Sequence, residues 1–468
     1  MEVSTIKEEA STCGEVEQLK EENKFLRHQL GVKDVLINKQ SEKIKLLEQH
    51  VLHLENKLRK YLNENTPSSQ KPNYDKDKKK ENKPKKPKGK PKGSNGGTRP
   101  TPHIDEERVI RLEKHEEYLG EPIDYVERIV GDIAPISPIK WTRFLLAQYK
   151  DPATHDIITA THPDCPSEGM FGPNLRALIA LLRERARLSE GQTIEFLEAL
   201  YGIPIAPATI EAELKRTADV LKPQYDSIGK IINDAKVKHS DETGQSVNGD
   251  NWCLYCFSTK EHAYFFAEEK KLAEHIQSRL NGDLEKVLNC DGHSIYSWYY
   301  AKQRCWSHGT RKDRWLYEEK KTKERELLHE GISGTFSIAK DIWKKAGAGA
   351  HQLWNVLLLK NRLRKIIGYK WIEEKCQKVA NYFKNGWDSW FTFMFVPGVE
   401  PTNNINENDI RKHVMKRKVS GTFRSEEGLN NHCIILSLFE TWRKSGKNVY
   451  HTLIDILKLK NSAISWSP

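Results

Sequence analysis

The chain has 468 residues with 37% hydrophobic and 30% charged residues, which predicts a water-soluble protein of two or three units. Its formal net charge is +11, and its eight cysteines are scattered, with only Cys253 and Cys256 close together. This spacing is not a disulfide framework and favours a reducing cytoplasm. The first residues lack the apolar core of a signal peptide, and no run is long enough for a membrane span, so we expect neither secretion nor membrane insertion.

A seven-residue repeat runs through residues 14–62 and predicts a coiled coil. Apolar residues at both seam positions pack between paired helices, so the pattern favours a parallel homodimer, with a higher oligomer as an alternative. A single amphipathic helix packed on its own chain is the other interpretation. The first seam position holds Val16, Asn23, Leu30, Ile37, Ile44, Val51 and Leu58, and the second holds Leu19, Leu26, Lys33, Gln40, Leu47, Leu54 and Tyr61.

Residues 63–102 consist mainly of Lys, Pro, Gly, Asn and Ser, and they predict a disordered basic linker. Within them, residues 71–100 hold twelve Lys or Arg residues against three acidic ones. Such a concentrated basic run indicates a polyanionic partner such as DNA, because counterion release depends on charge density and needs no fixed geometry. The alternative is a run that only keeps the chain soluble.

Two further segments precede the strand-rich part of the chain. Residues 103–165 contain strand-like stretches at 124–130 and 156–160, and they predict a small mixed domain. Residues 166–230 are helical in pattern, and the break at Gly202 predicts a helix, a tight turn and a second helix. This arrangement resembles a helix-turn-helix DNA-binding domain, although glycine turns also join helices in plain helical domains.

The β-rich segment that follows holds two candidate catalytic aspartates. Its first two β-prone runs are separated by Asn248-Gly249, a hairpin signal, and Asp241 falls at the end of the first predicted strand. A third strand, a helix and a short buried strand ending at Asp291 come next. This order predicts an α/β, ribonuclease-H-like catalytic core over residues 231–440, in which carboxylates from adjacent central strands converge on divalent metal.

Seven motifs stand in order along the chain between about residue 102 and residue 457. They are Met170-Phe-Gly-Pro-Asn-Leu, Tyr201-Gly-Ile-Pro-Ile, Asp241-Glu242-Thr243, Asp291-Gly292, Cys305-Trp306-Ser307-His308 followed by Arg311, Asn404-Ile-Asn-Glu407-Asn-Asp-Ile-Arg411, and Ser420-Gly421-Thr-Phe-Arg-Ser425. Taken together, these motifs resemble the transposases of insertion sequence family 66.

The resemblance implies a DNA transposase with an acidic triad of Asp241, Asp291 and Glu407 that binds metal. Mg²⁺ is the implied ion, and Mn²⁺ is its substitute because both take oxygen ligands. The implied reaction is metal-dependent phosphodiester cleavage at element ends followed by strand transfer. A helical insertion is also implied between the second and third carboxylates, and these residues are strongly helical in pattern at about 312–395.

Basic side chains near the proposed triad are candidate DNA contacts, to phosphates more than to bases. His308 and Arg311 belong to one of the motifs above. The alternatives are a structural role for His308 and a helical salt bridge between Arg411 and Glu407. The remaining candidates follow Glu407 along the chain: Arg411, Lys412, Lys416, Arg417, Lys418 and Arg424.

The pairs Cys253/Cys256 and Cys305/His308 suggest a four-ligand zinc site, but we do not expect zinc there. Cys253 and Cys256 are three residues apart on a predicted strand, so they face opposite sides, which favours packed cysteines. Family members carry cysteine pairs in an N-terminal zinc-finger-like segment, whereas residues 103–165 contain only Cys165. Zinc is therefore not expected in that segment either.

Three functions are compatible with the sequence. An active transposase is favoured by the triad and by a coiled coil that would pair two subunits across two element ends. A nuclease without strand transfer shares the metal site, and a non-catalytic DNA-binding regulator needs only the DNA-binding segments. The expected partners are element ends, target DNA and small accessory proteins, in a prokaryotic cytoplasm at the nucleoid. Residues 441–468 are predicted to be a C-terminal tail.

Overall fold

The computed structural model describes residues 139–150, 155, 157–280, 285–462 and 466–467, and helical stretches at 40–42, 44–45 and 47–49. The chain divides into two units, Met1–Pro100 and Thr101–Pro468. Most of the predicted coiled coil, the whole basic linker and the strand predicted at residues 124–130 lie outside the described residues. No helix in the described part is long and apolar enough to cross a membrane.

The second unit contains both strands and helices, and five of its strands fall between residues 237 and 304, with helical stretches before and after them. In chain order the strands are β1 (Gln148–Lys150), β2 (Ile157–Thr159), β3 (Val237–Val247), β4 (Asp250–Ser258), β5 (Ala263–Glu268), β6 (Val287–Cys290), β7 (Ala301–Arg304) and β8 (Trp466–Ser467). The helices are α1 (Pro173–Ala180), α2 (Glu190–Tyr201), α3 (Pro207–Asp234), α4 (Ala273–Gln277), α5 (Trp306–Glu319), α6 (Lys323–Ala346), α7 (Leu353–Ile367), α8 (Glu374–Asn385), α9 (Thr392–Phe395), α10 (Asn404–Ser420), α11 (Glu426–Lys444) and α12 (Val449–Asn461). The α/β class predicted from the sequence is confirmed.

Five strands form a mixed sheet with the order β5-β4-β3-β6-β7. β3, β4 and β5 are antiparallel neighbours, whereas β6 runs parallel to β3 and β7 runs parallel to β6. A second, small antiparallel sheet has the order β1-β2-β8. The strand predicted at 156–160 is therefore present as β2, and its outer partner β8 comes from the end of the chain.

The hairpin between β3 and β4 turns at Asn248 and Gly249, as the sequence predicts. Their φ angles are +49° and +93°, and Val247 pairs with Asp250 on either side of the turn. Two consecutive residues with positive φ make the type of turn whose twist matches that of the strands. The hairpin is long, so Asp241 lies inside β3, whereas the sequence pattern predicts it at the strand's end.

Both faces of the large sheet are buried against helices, and α11 contributes to both cores. One face packs with α1, α3, α11 and α12 in a core that includes Ala177, Leu221, Phe257, Phe266 and Leu453. The other face packs against α10 and α11 through residues such as Leu254, Phe265 and Ile410. Burying an aromatic side chain such as Phe257, which is fully buried, contributes about 1.5–3 kcal/mol.

Helices α5 to α9 lie between β7 and α10, where the sequence pattern predicts a helical insertion, and this segment is called the insertion below. It has its own apolar core, which includes Trp306, Leu328, Leu363, Phe383 and Trp390. Trp306 stacks on Phe336 with ring centroids 4.9 Å apart, and its ring lies tilted against that of Trp390 at 5.0 Å. The insertion is thus a packed helical subdomain that connects the end of the sheet to the helix bearing Glu407.

Two segments that the sequence predicts as a separate domain and a tail, residues 166–230 and 441–468, pack into the core of the large sheet. The helical segment 166–230 shares its core with the sheet, because α3 lays an apolar face along it and Tyr225 donates a hydrogen bond to the carbonyl of Phe265 at 2.8 Å. The predicted tail contains α12, whose Leu453 and Leu457 are buried in the same core. The glycine turn itself is present, with Gly202 at φ +65° ending α2 before α3 begins at Pro207.

Candidate active site

Asp241 and Asp291 stand at equivalent positions on neighbouring parallel strands. The pairing of β3 with β6 ends at His239 and Asn289, and each aspartate lies two residues beyond its member of that pair. Side chains two apart on a strand share a face, and neighbouring strands lie about 4.8 Å apart. The topology therefore brings the two carboxylates together at the carboxyl end of the parallel part of the sheet.

Glu407 lies in the first turn of α10, as predicted, and two asparagines fasten that turn to β3. Asn403 accepts a hydrogen bond from His239 Nδ1 at 2.9 Å and donates one to the carbonyl of Ser240 at 2.8 Å. The amide of Asn406 donates to the carbonyls of His239 and Cys256 at 3.2 and 2.8 Å. Both amides are fully buried, so α10 is held at a fixed position beside Asp241.

The pKa of Asp241 is raised by its burial and by the acidic groups that lie near it. Burial raises the pKa of this carboxyl well above its usual value, and the charges of Glu242, Asp291 and Glu407 raise it further. One hydrogen bond opposes the shift, because the backbone N–H of Glu242 donates to Asp241 Oδ1 at 3.0 Å. The site thus concentrates negative charge from three separate parts of the chain.

The two oxygens of Glu407 face different neighbours. Oε1 lies 3.9 Å from Cys305 Sγ and 3.6 Å from His308 Nδ1, while Oε2 lies 3.7 Å from Arg311 Nη2. Burial lowers the pKa of His308, against the opposing effect of the Glu407 carboxylate. Within the described residues, the basic side chains within 4.0 Å of Glu407 are those of His308 and Arg311, whereas Arg411 is exposed one turn further along α10.

The turn after Asp291 is held by Arg304 at the end of β7 and by Tyr382 of the insertion. The guanidinium of Arg304 donates to the carbonyl of Gly292 at 2.8 Å and to the carbonyl of Tyr382 at 3.0 Å. Tyr382 in turn donates its hydroxyl to the carbonyl of Asp291 at 2.9 Å, and its ring lies 4.7 Å from the Arg304 guanidinium. Gly292 has φ +86°, and a Cβ there would lie 2.0 Å from Arg304 Nε, so only glycine fits.

Glu242 is a fourth carboxylate near the site that the sequence reasoning assigned no role. It is neutralised on its own side, because Tyr296 donates to it at 2.6 Å and Lys271 Nζ lies 2.5 Å from it. Adjacent residues on a strand face opposite sides of the sheet, so the Glu242 side chain points away from that of Asp241, although its charge still raises the pKa of Asp241. The alternation of side chains along a strand predicts from the sequence that Glu242 faces away from Asp241. The contacts of Glu242 with Tyr296 and Lys271 could not be predicted in this way.

The basic residues after Glu407 do not share one environment. Lys418 and Arg424 are exposed, as is Arg411, and Lys412 is half-buried. Arg417 is partly buried and donates to Thr243 Oγ1 at 3.1 Å. Lys416 is only 3% exposed and is held by Glu184, with 2.5 Å between Nζ and Oε1, so it has no surface to offer DNA.

The cysteines of the suggested four-ligand zinc set are not gathered together. Cys253 belongs to the core on one face of the sheet and Cys256 to the core on the other, as their spacing predicts. Among the described residues, the group whose ligand atoms approach within 4.8 Å of one another consists of Cys305, His308 and Glu407. The pairing of Cys305 with His308 is visible in the sequence, but their approach to Glu407, about a hundred residues later, is not.

Comparisons with known proteins place these features in a family. The family model described as "Transposase IS66 family" matches residues 168–431, which is more than half of the 468 residues and includes all three carboxylates. Over 69 residues the chain is 38% identical to the "Uncharacterized protein y4jO" of Sinorhizobium fredii (strain NBRC 101917 / NGR234). That alignment covers 15% of this chain and 22% of the relative, so the chain spans about a fifth of the curated relative's length.

Proposed function

The chain belongs to the Transposase IS66 family, and from this premise we propose that it cuts DNA at element ends and joins them to a target, with Asp241, Asp291 and Glu407 as its catalytic carboxylates. The observation that carries the proposal is the convergence of these three acidic groups, and burial together with the neighbouring acidic charges raises the pKa of Asp241. Clustered carboxyl groups whose pKa values are strongly perturbed are typical of functional sites.

The proposal includes a ribonuclease-H-like architecture for residues 231–440. The strand order β5-β4-β3-β6-β7, with the first three strands antiparallel and the last two parallel, supports it. So does the supply of carboxylates from two adjacent central strands and from the first turn of a helix packed beside them. In this arrangement the insertion between β7 and α10 lies outside the sheet's strand order.

The carboxylates fit a divalent metal of the Mg²⁺ class. Hard cations prefer oxygen ligands, and the three side chains together offer up to six carboxylate oxygens in a place where their mutual repulsion is otherwise unfavourable. Asp241, Asp291 and Glu407 would hold the metal, which supplies activation of the attacking oxygen and stabilisation of the leaving oxygen. Mn²⁺ has the same ligand preference and would substitute for Mg²⁺.

The chain's own residues fix the carboxylates before any substrate arrives. Hydrogen bonds from Asn403 and Asn406 fix the position of Glu407 relative to β3. Hydrogen bonds from Arg304 and Tyr382 fix the conformation of the turn after Asp291. Catalytic groups held in this way need no reorganisation when the reaction occurs. Arg311 is proposed to contact the scissile phosphate, and the 29% exposure of its side chain beside Glu407 supports this.

DNA phosphates are proposed to pass along the exposed basic residues that follow Glu407. Arg411, Lys418 and Arg424 are the exposed members of this set, with Lys412 and Arg417 at its inner edge and His308 and Arg311 beside the triad. Their charges attract the DNA backbone whatever its sequence. Lys416 is left out of this set because it is buried against Glu184.

Pairing of two chains through residues 14–62 remains part of the proposal. Ile44 and Leu47, which belong to the two predicted seam positions, are helical and more than half exposed in the single chain. Apolar seam residues of this kind become buried when two helices wrap around one another. Dimerisation would hold two element ends in one complex, and small accessory proteins remain expected partners.

The test is cleavage of linear DNA that carries the native element ends, in Mg²⁺, by the full chain and its variants. Asp241→Asn, Asp291→Asn and Glu407→Gln should each reduce cleavage to background while DNA binding is kept, because the metal loses a ligand and the DNA contacts remain. Asp250→Asn removes an exposed carboxylate from the same hairpin as Asp241 and should leave cleavage unchanged.

The remaining outcomes separate the alternatives. Cleavage without joining of a precut 3′ end to a target plasmid would assign the chain as a nuclease. Equal behaviour of the native chain and the three carboxylate variants in the cleavage assay would contradict a catalytic role for the triad. The chain would then be assigned as a DNA-binding regulator.

A further inference from the structure

We infer that Cys305, His308 and Glu407 form a second metal site, for a thiophilic divalent cation such as Zn²⁺, which shares Glu407 with the proposed triad. Each residue offers one ligand atom, and these atoms lie within 4.8 Å of one another. Mg²⁺ does not fit this set, because it demands oxygen ligands, whereas a thiolate, an imidazole and one carboxylate oxygen suit zinc.

The distances are close to those of a tetrahedral zinc site. Zinc bonds of about 2.3 Å to sulfur and about 2.0–2.2 Å to nitrogen and oxygen place ligand atoms about 3.3–3.6 Å apart. Glu407 Oε1 lies 3.9 Å from Cys305 Sγ and 3.6 Å from His308 Nδ1. The third pair, Cys305 Sγ and the His308 nitrogen, lies within 4.8 Å, so side-chain shifts of up to about 1 Å would bring all three ligands to bonding distance.

The surroundings of Cys305, His308 and Glu407 favour metal binding by these side chains over simple packing against one another. His308 Nδ1 is buried and has no hydrogen-bond partner among the described residues, so it has a lone pair or a proton unaccounted for. The backbone N–H of Asn403 donates to Cys305 Sγ at 3.2 Å, as the groups behind metal-bound thiolates do. Glu407 is 23% exposed, which gives an ion a route from solvent and leaves a fourth position open.

Because Glu407 belongs to both sites, zinc bound at this site should affect DNA cleavage; this consequence rests on the proposed function. Oε1 of Glu407 faces the cysteine and histidine while Oε2 faces Arg311, so an ion bound to the sulfur draws Glu407 toward α5. A carboxylate held by zinc in this way is not available to complete the Mg²⁺ site. Zinc should therefore inhibit cleavage, and a chelator should restore it.

Binding is tested without any cleavage assay, by titrating the metal-free full chain with Co²⁺ as a spectroscopic substitute for zinc. The native chain should develop the near-ultraviolet thiolate-to-cobalt band and the visible bands of a tetrahedral site, and one equivalent of Zn²⁺ should bleach them. Cys305→Ser should lose the thiolate band. Cys376→Ser, which changes a buried cysteine in the insertion, should keep it.

Two further variants protect the test against misfolding of Cys305→Ser. His308→Ala and Glu407→Gln alter partly exposed side chains, and each should weaken Co²⁺ binding at least about tenfold, as loss of a direct ligand does. A native chain without the band, or a band unchanged in all three variants, would overturn the inference and leave Cys305 as a cysteine that only positions Glu407.

The inhibition arm separates this inference from the proposed function. Cleavage by the native chain should fall as Zn²⁺ is added at constant Mg²⁺, and the residual cleavage by His308→Ala should be less sensitive to zinc. A cobalt band in a chain that never cleaves DNA would sink the proposed function and keep the metal site. Zinc-insensitive cleavage alongside a band would show that the site does not compete for Glu407.

Discussion

The side-chain amide of Asn406 donates a hydrogen bond to the carbonyl oxygen of His239 at 3.2 Å, which ties the residue before Glu407 to the strand two residues before Asp241. The same amide reaches the carbonyl of Cys256 on the next strand. One side chain thus connects the helix that carries one candidate catalytic group with the strand that carries another.

Asn406→Ala should lower both stability and cleavage. It leaves two buried carbonyl oxygens without that donor, which costs about 1–3 kcal/mol in the free energy of unfolding. Glu407 also loses its alignment, so cleavage should fall by more than the loss of folded protein explains. Urea unfolding and cleavage rates on the same preparations measure the two effects. Asn408→Ala changes an exposed asparagine of the same helix and should alter neither.

Gly292→Ala should lower the free energy of unfolding more than Gly249→Ala does. The positive φ alone costs about 1–2 kcal/mol for a residue with a Cβ, and here the Cβ also meets the Arg304 guanidinium. Gly249→Ala is the matched control, because its φ is +93° and no described heavy atom lies within 4 Å of the added Cβ. The difference between the two unfolding free energies measures the clash, and equal losses would show that Arg304 moves aside freely.

Glu184→Ala should destabilise the protein severely. Glu184 lies in a short π-helical segment, Leu181–Arg185, and its carboxylate pairs with Lys416 and with His432, both fully buried or nearly so. Removing it leaves the Lys416 charge buried without a partner, which costs about 3–5 kcal/mol. Urea unfolding measures this loss. Asp226→Ala removes an exposed partner of Lys222 and should cost at most about 1 kcal/mol.

His413 should make stability fall in mild acid. Burial lowers its pKa well below the usual value, helped by the charges of His432, Arg417 and Lys416 and opposed by Glu184. The folded state keeps this histidine neutral while the unfolded state is protonated below about pH 6.5, so stability is present above that pH and lost below it. The pKa of Glu184 is lowered instead, so its contribution is lost in a more acidic range.

The expected loss is up to about 1.4 kcal/mol for each pH unit below pH 6.5. Unfolding free energies measured between pH 7.5 and 5.5 report it. His413→Gln keeps an amide donor for the 3.0 Å hydrogen bond to His432 but cannot titrate, so its stability should depend less on pH. A variant with the native pH profile would assign the acid sensitivity to other histidines.

Lys418→Ala and Arg424→Ala should each weaken DNA binding about equally for all sequences. Each removes one phosphate contact, so the slope of log affinity against log salt should become shallower by about 1. Lys447→Ala is the control, because that exposed lysine follows α11, at the opposite end of a 19-residue helix from Arg424. Unchanged slopes for both variants would place the DNA elsewhere on the molecule.

The parts of the fold that follow from local pattern could be predicted from the sequence. Asn248-Gly249 fixes the hairpin, and the succession of β3, β4, β5, a helix and β6 along the chain, like the position of Glu407 near a helix start, follows from local sequence pattern. Contacts between distant segments could not be predicted in this way. Lys416 and the exposed Lys418 stand on either side of Arg417 in the same basic run, and only the pairing of Lys416 with Glu184, more than two hundred residues earlier, shows that Lys416 is buried.

The insertion between β7 and α10 sets the order in which the candidate active site can be completed during synthesis. Asp241 and Asp291 are made 50 residues apart, but Glu407 follows 116 residues after Asp291, beyond all five helices of the insertion. A nascent chain therefore holds two of the three carboxylates long before the third emerges. Any copy of the gene interrupted before α10 would encode a protein without Glu407, which would keep α1 to α3 but lack the third carboxylate.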